Sequence, residues 1–274
     1  MKLHFLGTAA AEGFPNVYCK CDTCEKARQS GGRNIRTRCS VIIDDVLKVD
    51  QPPDSFTQAL RDGIDMSLVR DLLITHTHYD HLNAGELISR MKGYAHGVEH
   101  PLNIYGNDLA LFQCRQALLE EHEGEKQFYM RRLQPFKQIK VGDAKVTPLL
   151  ADHDQRETCL IYFLEKDNMN VLYGNDSGWF PDETWEWLKG KKVDFAILDC
   201  TVGKNGNKHS GNHMSVESVI EVQNVFREGN LLKDHTKLVV THFSHNCGLL
   251  HEDLVEIFKP YGIEVAYDGM VVNI

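Results

Sequence analysis

Thr75-His76-Thr77-His78-Tyr79-Asp80-His81-Leu82 follows directly on the apolar run Leu72-Leu73-Ile74. Three imidazoles and one carboxylate fall within six positions, a concentration that would be wasteful in a core and odd on a surface. Neutral imidazole and carboxylate are ligands that Zn, Mn and Fe accept. A solvated His-rich loop is the competing reading, and an internal position immediately after a strand speaks against it. The stretch therefore predicts a metal site on a loop that a strand delivers.

Outward from it the same layout recurs. The apolar run 193–198 precedes Asp199, and Leu238-Val239-Val240 precedes Thr241-His242. Residues 40–43 and 46–49 read as a hairpin turning at Asp44-Asp45, and 160–164 with 170–173 as another turning around Asp167-Asn168. The opening residues read as a first strand, since His4 and Gly7 interrupt any secretory apolar segment. Val216, Val219, Ile220 and Phe226 recur on one helical face, and Leu109, Phe112, Leu118 and Leu119 do so less cleanly. Strands in neighbouring pairs with helices outside them predict a layered α/β sandwich.

The chain has 274 residues, 42% hydrophobic and 25% charged, the composition of a globular protein; we read residues 1–274 as one domain. A net charge of -9 with scattered Lys and Arg argues against nucleic acid as the main partner, because such affinity comes from neutralising phosphates. A small anionic substrate held by metal remains compatible, since bound cations reverse the local field. No apolar run approaches the roughly 20 residues of a membrane span, so a cytoplasmic chain without a membrane partner is expected. Of eight cysteines, Cys19, Cys21 and Cys24 form a Cys-x-Cys-x-x-Cys. Three thiolates so close suit one soft cation, and a tetrahedral structural zinc needs a fourth ligand; free thiols or a redox pair are the alternatives. Cys114, Cys159 and Cys200 read as small buried hydrophobes, and Trp179, Trp185 and Trp187 as packing residues.

His76-x-His78-x-Asp80-His81 resembles the signature of the metallo-β-lactamase superfamily, and the rest of that pattern follows in order. Asp50 ends a strand before the signature, His153 lies in Ala151-Asp152-His153-Asp154, Asp176 in Gly174-Asn175-Asp176-Ser177, and His242 in Val240-Thr241-His242. The resemblance implies a four-layer αββα sandwich with two divalent metals at one edge. It implies that His76, His78 and His153 hold one ion, that Asp80, His81 and His242 hold the other, and that Asp176 bridges them. Members doing redox chemistry on iron carry Glu where this chain has His78, so hydrolysis is implied.

With the Cys cluster added, the chain resembles the phosphodiesterase branch that accompanies the carbon–phosphorus lyase pathway, enzymes that open a ribosyl 1,2-cyclic phosphate. The matching stretches are Gly7-Thr8-Ala9-Ala10-Ala11-Glu12-Gly13-Phe14-Pro15, Arg38-Cys39-Ser40, Asn212-His213, Thr241-His242-x-Ser244-His245 and Tyr267-Asp268-Gly269-Met270. By this resemblance His245 completes a structural zinc site with Cys19, Cys21 and Cys24, Cys39 and Cys247 being its rivals. Asp80 and His213 become catalytic residues, His213 as general acid or phosphate-binding group. The implied enzyme is a binuclear phosphoric diester hydrolase with Zn, Mn or Fe at the catalytic pair, acting on a small cyclic ribosyl or nucleotide phosphodiester; a homodimer is left open.

Two stretches depart from the pattern. Gln51-Pro52-Pro53 follows Asp50 where the family has a small pair, and the run from Gly203 to His209 is this chain's own, with Lys208 and His209 as competitors for the role of His213. Two other functions compete. A tRNA 3′-processing nuclease would need an RNA-gripping arm, which this acidic chain lacks. A non-hydrolytic protein resembling quinone-cofactor biosynthesis members would have weakened catalytic metals, against the complete ligand set from His76 to His242.

Overall fold

Alternation across residues 40–49 sorts side chains onto two faces. Val41, Ile43, Leu47 and Val49 turn inward to the main core, while Ile42 joins a second apolar cluster on the other side. The turn between them carries Asp44 and Asp45 at positive φ, a conformation that Asp tolerates better than most residues. Asp167 and Asn168 do the same for the second hairpin. Both predicted hairpins therefore form as antiparallel pairs.

The computed structural model describes residues 1–118, 127–206, 209 and 211–274; Leu119 and Lys208 lie outside the described residues. One sheet contains β1 (Lys2–Gly7), β2 (Ser40–Ile43), β3 (Leu47–Val49), β4 (Asp71–Leu73), β5 (Leu102–Gly106) and β6 (Phe128–Arg132). The other contains β7 (Ile139–Val141), β8 (Ala144–Leu150), β9 (Leu160–Lys166), β10 (Met169–Gly174), β11 (Val193–Asp199), β12 (Leu232–Thr241) and β13 (Ile263–Val265), while β14 (Met270–Asn273) returns to the first sheet beside β1. The strand orders are β14-β1-β2-β3-β4-β5-β6 and β13-β12-β11-β10-β9-β8-β7. Leu3, Phe5 and Leu73 of the first sheet meet Val146, Tyr162, Val171 and Phe195 of the second in one shared core. Each such side chain contributes about 1.5–3 kcal/mol by leaving water.

Helices α1 (Asp22–Ser30), α2 (Ser55–Asp62), α3 (Asp108–Ala117), α4 (Asp182–Leu188), α5 (Val216–Glu228) and α6 (His251–Phe258) complete the layers. α2 and α3 lie on the first sheet, α4, α5 and α6 on the second, which gives the four-layer αββα sandwich. α5 buries Val216, Val219, Val222 and Phe226, and Ser215 caps it by accepting from the Ser218 amide at 3.1 Å. α3 corrects the sequence pattern: Leu109 and Phe112 are 41% and 55% exposed, and Ala110, Leu111 and Cys114 face the core instead. The cause is close approach, since a Cβ on Gly106 would lie 3.1 Å from that of Ala110. Trp179, Trp185 and Trp187 pack against the outer cluster of the second sheet, and Cys114, Cys159 and Cys200 are buried. Among the described residues no helix is long and apolar enough to cross a membrane.

Pairs β3–β4, β10–β11 and β11–β12 are parallel, so their following loops leave at one edge. Asp50 follows β3, His76 follows β4, His153 follows β8, Asp176 follows β10, Asp199 ends β11 and His242 follows β12. Asp50, Asp176 and His242 all take positive φ, at 63°, 53° and 64°. Non-glycine residues held there cost on the order of 1–3 kcal/mol each, and such residues cluster at working sites.

Candidate metal centre

Each imidazole delivered to this edge has one nitrogen tied down and the other turned inward. His76 Nδ1 lies 3.0 Å from Thr75 Oγ1, and its Nε2 is buried with no hydrogen-bond partner among the described residues. His78 Nε2 is 2.9 Å from Asp154 Oδ2, leaving Nδ1 toward His153 Nε2 at 2.9 Å. His153 Nδ1 faces the Asn212 carbonyl at 3.2 Å. His81 Nδ1 meets Asp50 Oδ2 at 2.7 Å, and His242 Nδ1 meets Thr201 Oγ1 at 2.7 Å, while their Nε2 atoms stand 3.2 Å apart. Oxygen partners on the outer nitrogens fix the tautomers and aim the lone pairs, as around bound metals.

Three groups of ligand atoms result. His76, His78, His153 and Asp176 form one and Asp80, His81, His242 and Asp176 a second, the two that match the expected ion sites; Asp176, Asp199, His213 and His242 form the third, and within each group the atoms lie within 4.8 Å of one another. Asp176 belongs to all three, and so to both of the expected ion sites. The donor set fits divalent metals: inward imidazoles, two carboxylates, and buried atoms such as His76 Nε2 and Asp80 Oδ1 that no protein group satisfies. Burial, helped by His81, holds His76 well below the ordinary imidazole range and so in its ligand form. Burial alone would raise Asp80 and Asp176, but His81 beside the first and His242 beside the second keep both carboxyls well below their usual range.

His213 stands over this centre. Its Nδ1 is 3.1 Å from Asp176 Oδ1 and 3.2 Å from Asp199 Oδ2. Burial works against its charge, yet Asp199 and Asp176 push it up to about 11. Asp199 is itself fixed, accepting from the Met214 amide at 2.8 Å, the Thr201 amide at 2.9 Å and the Thr201 hydroxyl at 2.7 Å. Thr201 thus links Asp199 to His242.

Sequence reasoning gave no role to Asp199, Thr201, Asp154 or Glu157. Glu157 accepts from the Thr77 amide at 2.9 Å and so ties the loop of His153 to that of His78. The available signals were the position of Asp199 at a strand end and of Asp154 beside His153. His209 stacks on Trp179 with ring centroids 4.0 Å apart and joins none of the ligand groups. The unusual Gln51 keeps the turn attached to the signature loop: its amide donates to the His81 carbonyl at 2.7 Å and its carbonyl accepts from Asn83 at 2.7 Å.

A separate group joins Cys19, Cys21 and Cys24 to His245. Cys21 Sγ lies 3.5 Å from His245 Nδ1, and the other ring nitrogen is 3.7 Å from Glu12. The Cys24 amide, then His245, draw the Cys21 thiol down to about 6, toward the thiolate a metal takes. The rivals point elsewhere: Cys39 Sγ lies beside Thr241 at 3.5 Å and Cys247 Sγ faces the Leu249 carbonyl at 3.8 Å.

Residues 40–243 match the model of the beta-lactamase superfamily domain. Along its full length the chain is 23% identical, over 322 aligned positions covering 100% of both proteins, to coenzyme PQQ synthesis protein B of Acinetobacter baumannii (strain ACICU). Among solved structures it resembles a diphosphatase from the PhnP family, with a TM-score of 0.75 and 24% identity over 100% of this chain and 97% of that one. It also resembles Zn2+-bound PqqB from Methylobacterium extorquens, with a TM-score of 0.74 and 15% identity over 100% of both chains. At these identities the structural likenesses speak to the fold.

Proposed function

Because this chain belongs to the beta-lactamase superfamily, we propose that it is a metal-dependent phosphodiesterase acting on a small phosphodiester, with a cyclic ribosyl or nucleotide phosphate as the substrate class. The observation that carries the reading is His213 held over Asp176, the carboxylate common to both expected ion sites. His76, His78 and His153 would hold one ion, Asp80, His81 and His242 the other, and Asp176 both. Two divalent ions so placed supply Lewis-acid activation of water and neutralise charge at phosphorus.

The chain's own groups do the remaining work. Asp176 and Asp199 hold the proton of His213 on Nδ1, so Nε2 faces the substrate and gives its proton to the leaving oxygen as the P–O bond breaks. Asp80, whose Oδ1 has no protein partner, accepts from the attacking water. The structure it resembles in fold is named a diphosphatase, and a reaction at phosphorus in that protein supports phosphorus as the centre attacked here. A cytoplasmic setting is part of this proposal, since a reducing compartment suits Cys19, Cys21 and Cys24 as thiolates gathered for a metal.

The full-length likeness to coenzyme PQQ synthesis protein B favours a second reading, a cofactor-biosynthesis protein without hydrolytic activity. One experiment separates the two. The protein is loaded with Zn2+, Mn2+ or Fe2+ and run against bis-p-nitrophenyl phosphate, cyclic nucleotides and ribosyl cyclic phosphates, with metal per chain measured alongside. Turnover with two ions beyond the Cys-held zinc supports the phosphodiesterase. A protein that holds only that zinc and turns nothing over belongs to the second reading.

A further inference from the structure

Lys48 breaks the pattern of its strand. It lies in the middle of β3, paired with Ile42 on one side and Leu72 on the other, both members of the outer apolar cluster, and it is 0% exposed. A buried ammonium is costly unless all its protons are accepted. Here they are: Nζ donates to the Asp50 carbonyl, to Gln51 Oε1 at 3.2 Å and to Ser55 Oγ at 3.2 Å. All three acceptors are uncharged and all lie in the turn after β3. Ser55 closes the turn by donating to the Pro52 carbonyl at 2.8 Å. Pro52 and Pro53 have no amide proton to offer the Asp50 carbonyl, which is served by the lysine and by the Ser40 hydroxyl at 3.1 Å.

That turn holds a residue the metal centre depends on. Asp50, at φ 63°, reaches His81 Nδ1 at 2.7 Å with one carboxylate oxygen and the Thr75 amide at 2.8 Å with the other; both oxygens also accept from the Thr75 hydroxyl at 2.9 Å, so Asp50 meets His81 directly and His76 only through Thr75. We propose that Lys48 is a positioning residue for His81: by knotting residues 50–55 around its ammonium it fixes the carboxylate that aims the imidazole, and so sets how tightly the ion of Asp80, His81 and His242 is held relative to the ion of His76, His78 and His153. This rests on the two-metal reading above. It also gives Gln51-Pro52-Pro53 a purpose, since Gln51 supplies one of the three acceptors.

Lys48→Met keeps the aliphatic stem and removes the donors. Wild type and variant are loaded with Co2+ and dialysed against falling free Co2+, with metal per chain and the visible absorption of bound Co2+ recorded at each step. His242→Ala, in the same series, identifies the absorption component of the His81-side ion. The variant releases that ion at a free Co2+ concentration roughly 10-fold higher, the lower end of the cost of losing an outer partner because Asp50 itself stays, with its absorption band shifted, while the other ion moves by less than about threefold. Equal weakening of both ions, or no change in either, overturns the assignment, because a general loss of stability would not choose between them. Ser55→Ala, which removes one acceptor and keeps the lysine, gives the same selective shift at smaller size and decides by the same criteria if Lys48→Met does not fold. Wild type that binds no Co2+ beyond the Cys-held site ends the two-metal reading and this assignment together, whereas two ions in wild type with an unselective variant end this assignment alone.

Discussion

Asp199 Oδ2 lies 3.2 Å from His213 Nδ1, and that carboxylate has no exposed surface. Two backbone amides hold it from the other side, so it cannot follow the ring if the ring moves. The proton on Nδ1 is therefore fixed by the framework, and chemistry is left to Nε2.

His213→Ala is expected to lower kcat by about 10²–10⁴, the range for losing one acid–base group, with metal content unchanged. Rate and metal per chain are measured on the same preparation. A variant that loses metal, or one as fast as wild type while His209→Ala collapses, would move the role away from His213.

Asp176→Ala should abolish hydrolysis and lower occupancy of both catalytic ions, because its carboxylate belongs to both expected ion sites. Its backbone position at φ 53° is tolerable to a small residue only at some cost, so a modest drop in Tm is expected as well. Full occupancy with wild-type turnover would remove Asp176 from the centre.

X-ray absorption at the zinc edge, on protein with only the Cys-held site filled, is expected to give three sulfurs and one nitrogen. The ligand atoms of Cys19, Cys21, Cys24 and His245 already stand within 4.8 Å of one another. Four sulfurs, or zinc fully retained in His245→Ala, would bring Cys39 or Cys247 back.

Stability should depend on pH through His251, which belongs to none of the ligand groups. Arg36 donates to its Nδ1 at 3.0 Å, which demands an unprotonated nitrogen there. Burial, with Arg36 adding to it, pushes this ring down to about 4. Unfolded, the ring takes up its proton near the ordinary value of about 6.5, so between these limits the unfolded chain binds more protons and stability falls as pH falls. Denaturant unfolding at pH 7 and 4.5 measures the loss, of which His251→Gln should remove on the order of 2 kcal/mol. An identical pH profile in the variant would clear His251 of any part in it.

The parts of this architecture that could be read from the sequence are those written locally. Residues 75–82 pack ligand types into one loop, and the two hairpins declare themselves through Asp44-Asp45 and Asp167-Asn168, residues that accept positive φ. His153, Asp176 and His242 are single residues in separate loops, legible through their order alone. What orients them was hidden for a physical reason: Asp154 meets His78 from 76 positions away, and Lys48 matters only because of where Asp50 points. The face of α3 was hidden too, because Gly106 and Ala110 let the helix approach on small residues while Leu109 and Phe112 stay outside.

The loops that meet at the metal centre come from both sheets, residues 75–82 after β4 of the first and His153, Asp176 and His242 after β8, β10 and β12 of the second. During synthesis this spacing becomes an order in time. The signature loop leaves the ribosome long before His242, and Cys19, Cys21 and Cys24 wait longer still for His245. A nascent chain halted after β11 has made most of its strands yet can close neither the ligand group of His242 nor that of His245. Closing those two groups is therefore a late step, a clasp that only a chain grown past His245 can fasten in full, whereas the group of His76, His78, His153 and Asp176 is complete in sequence before β11.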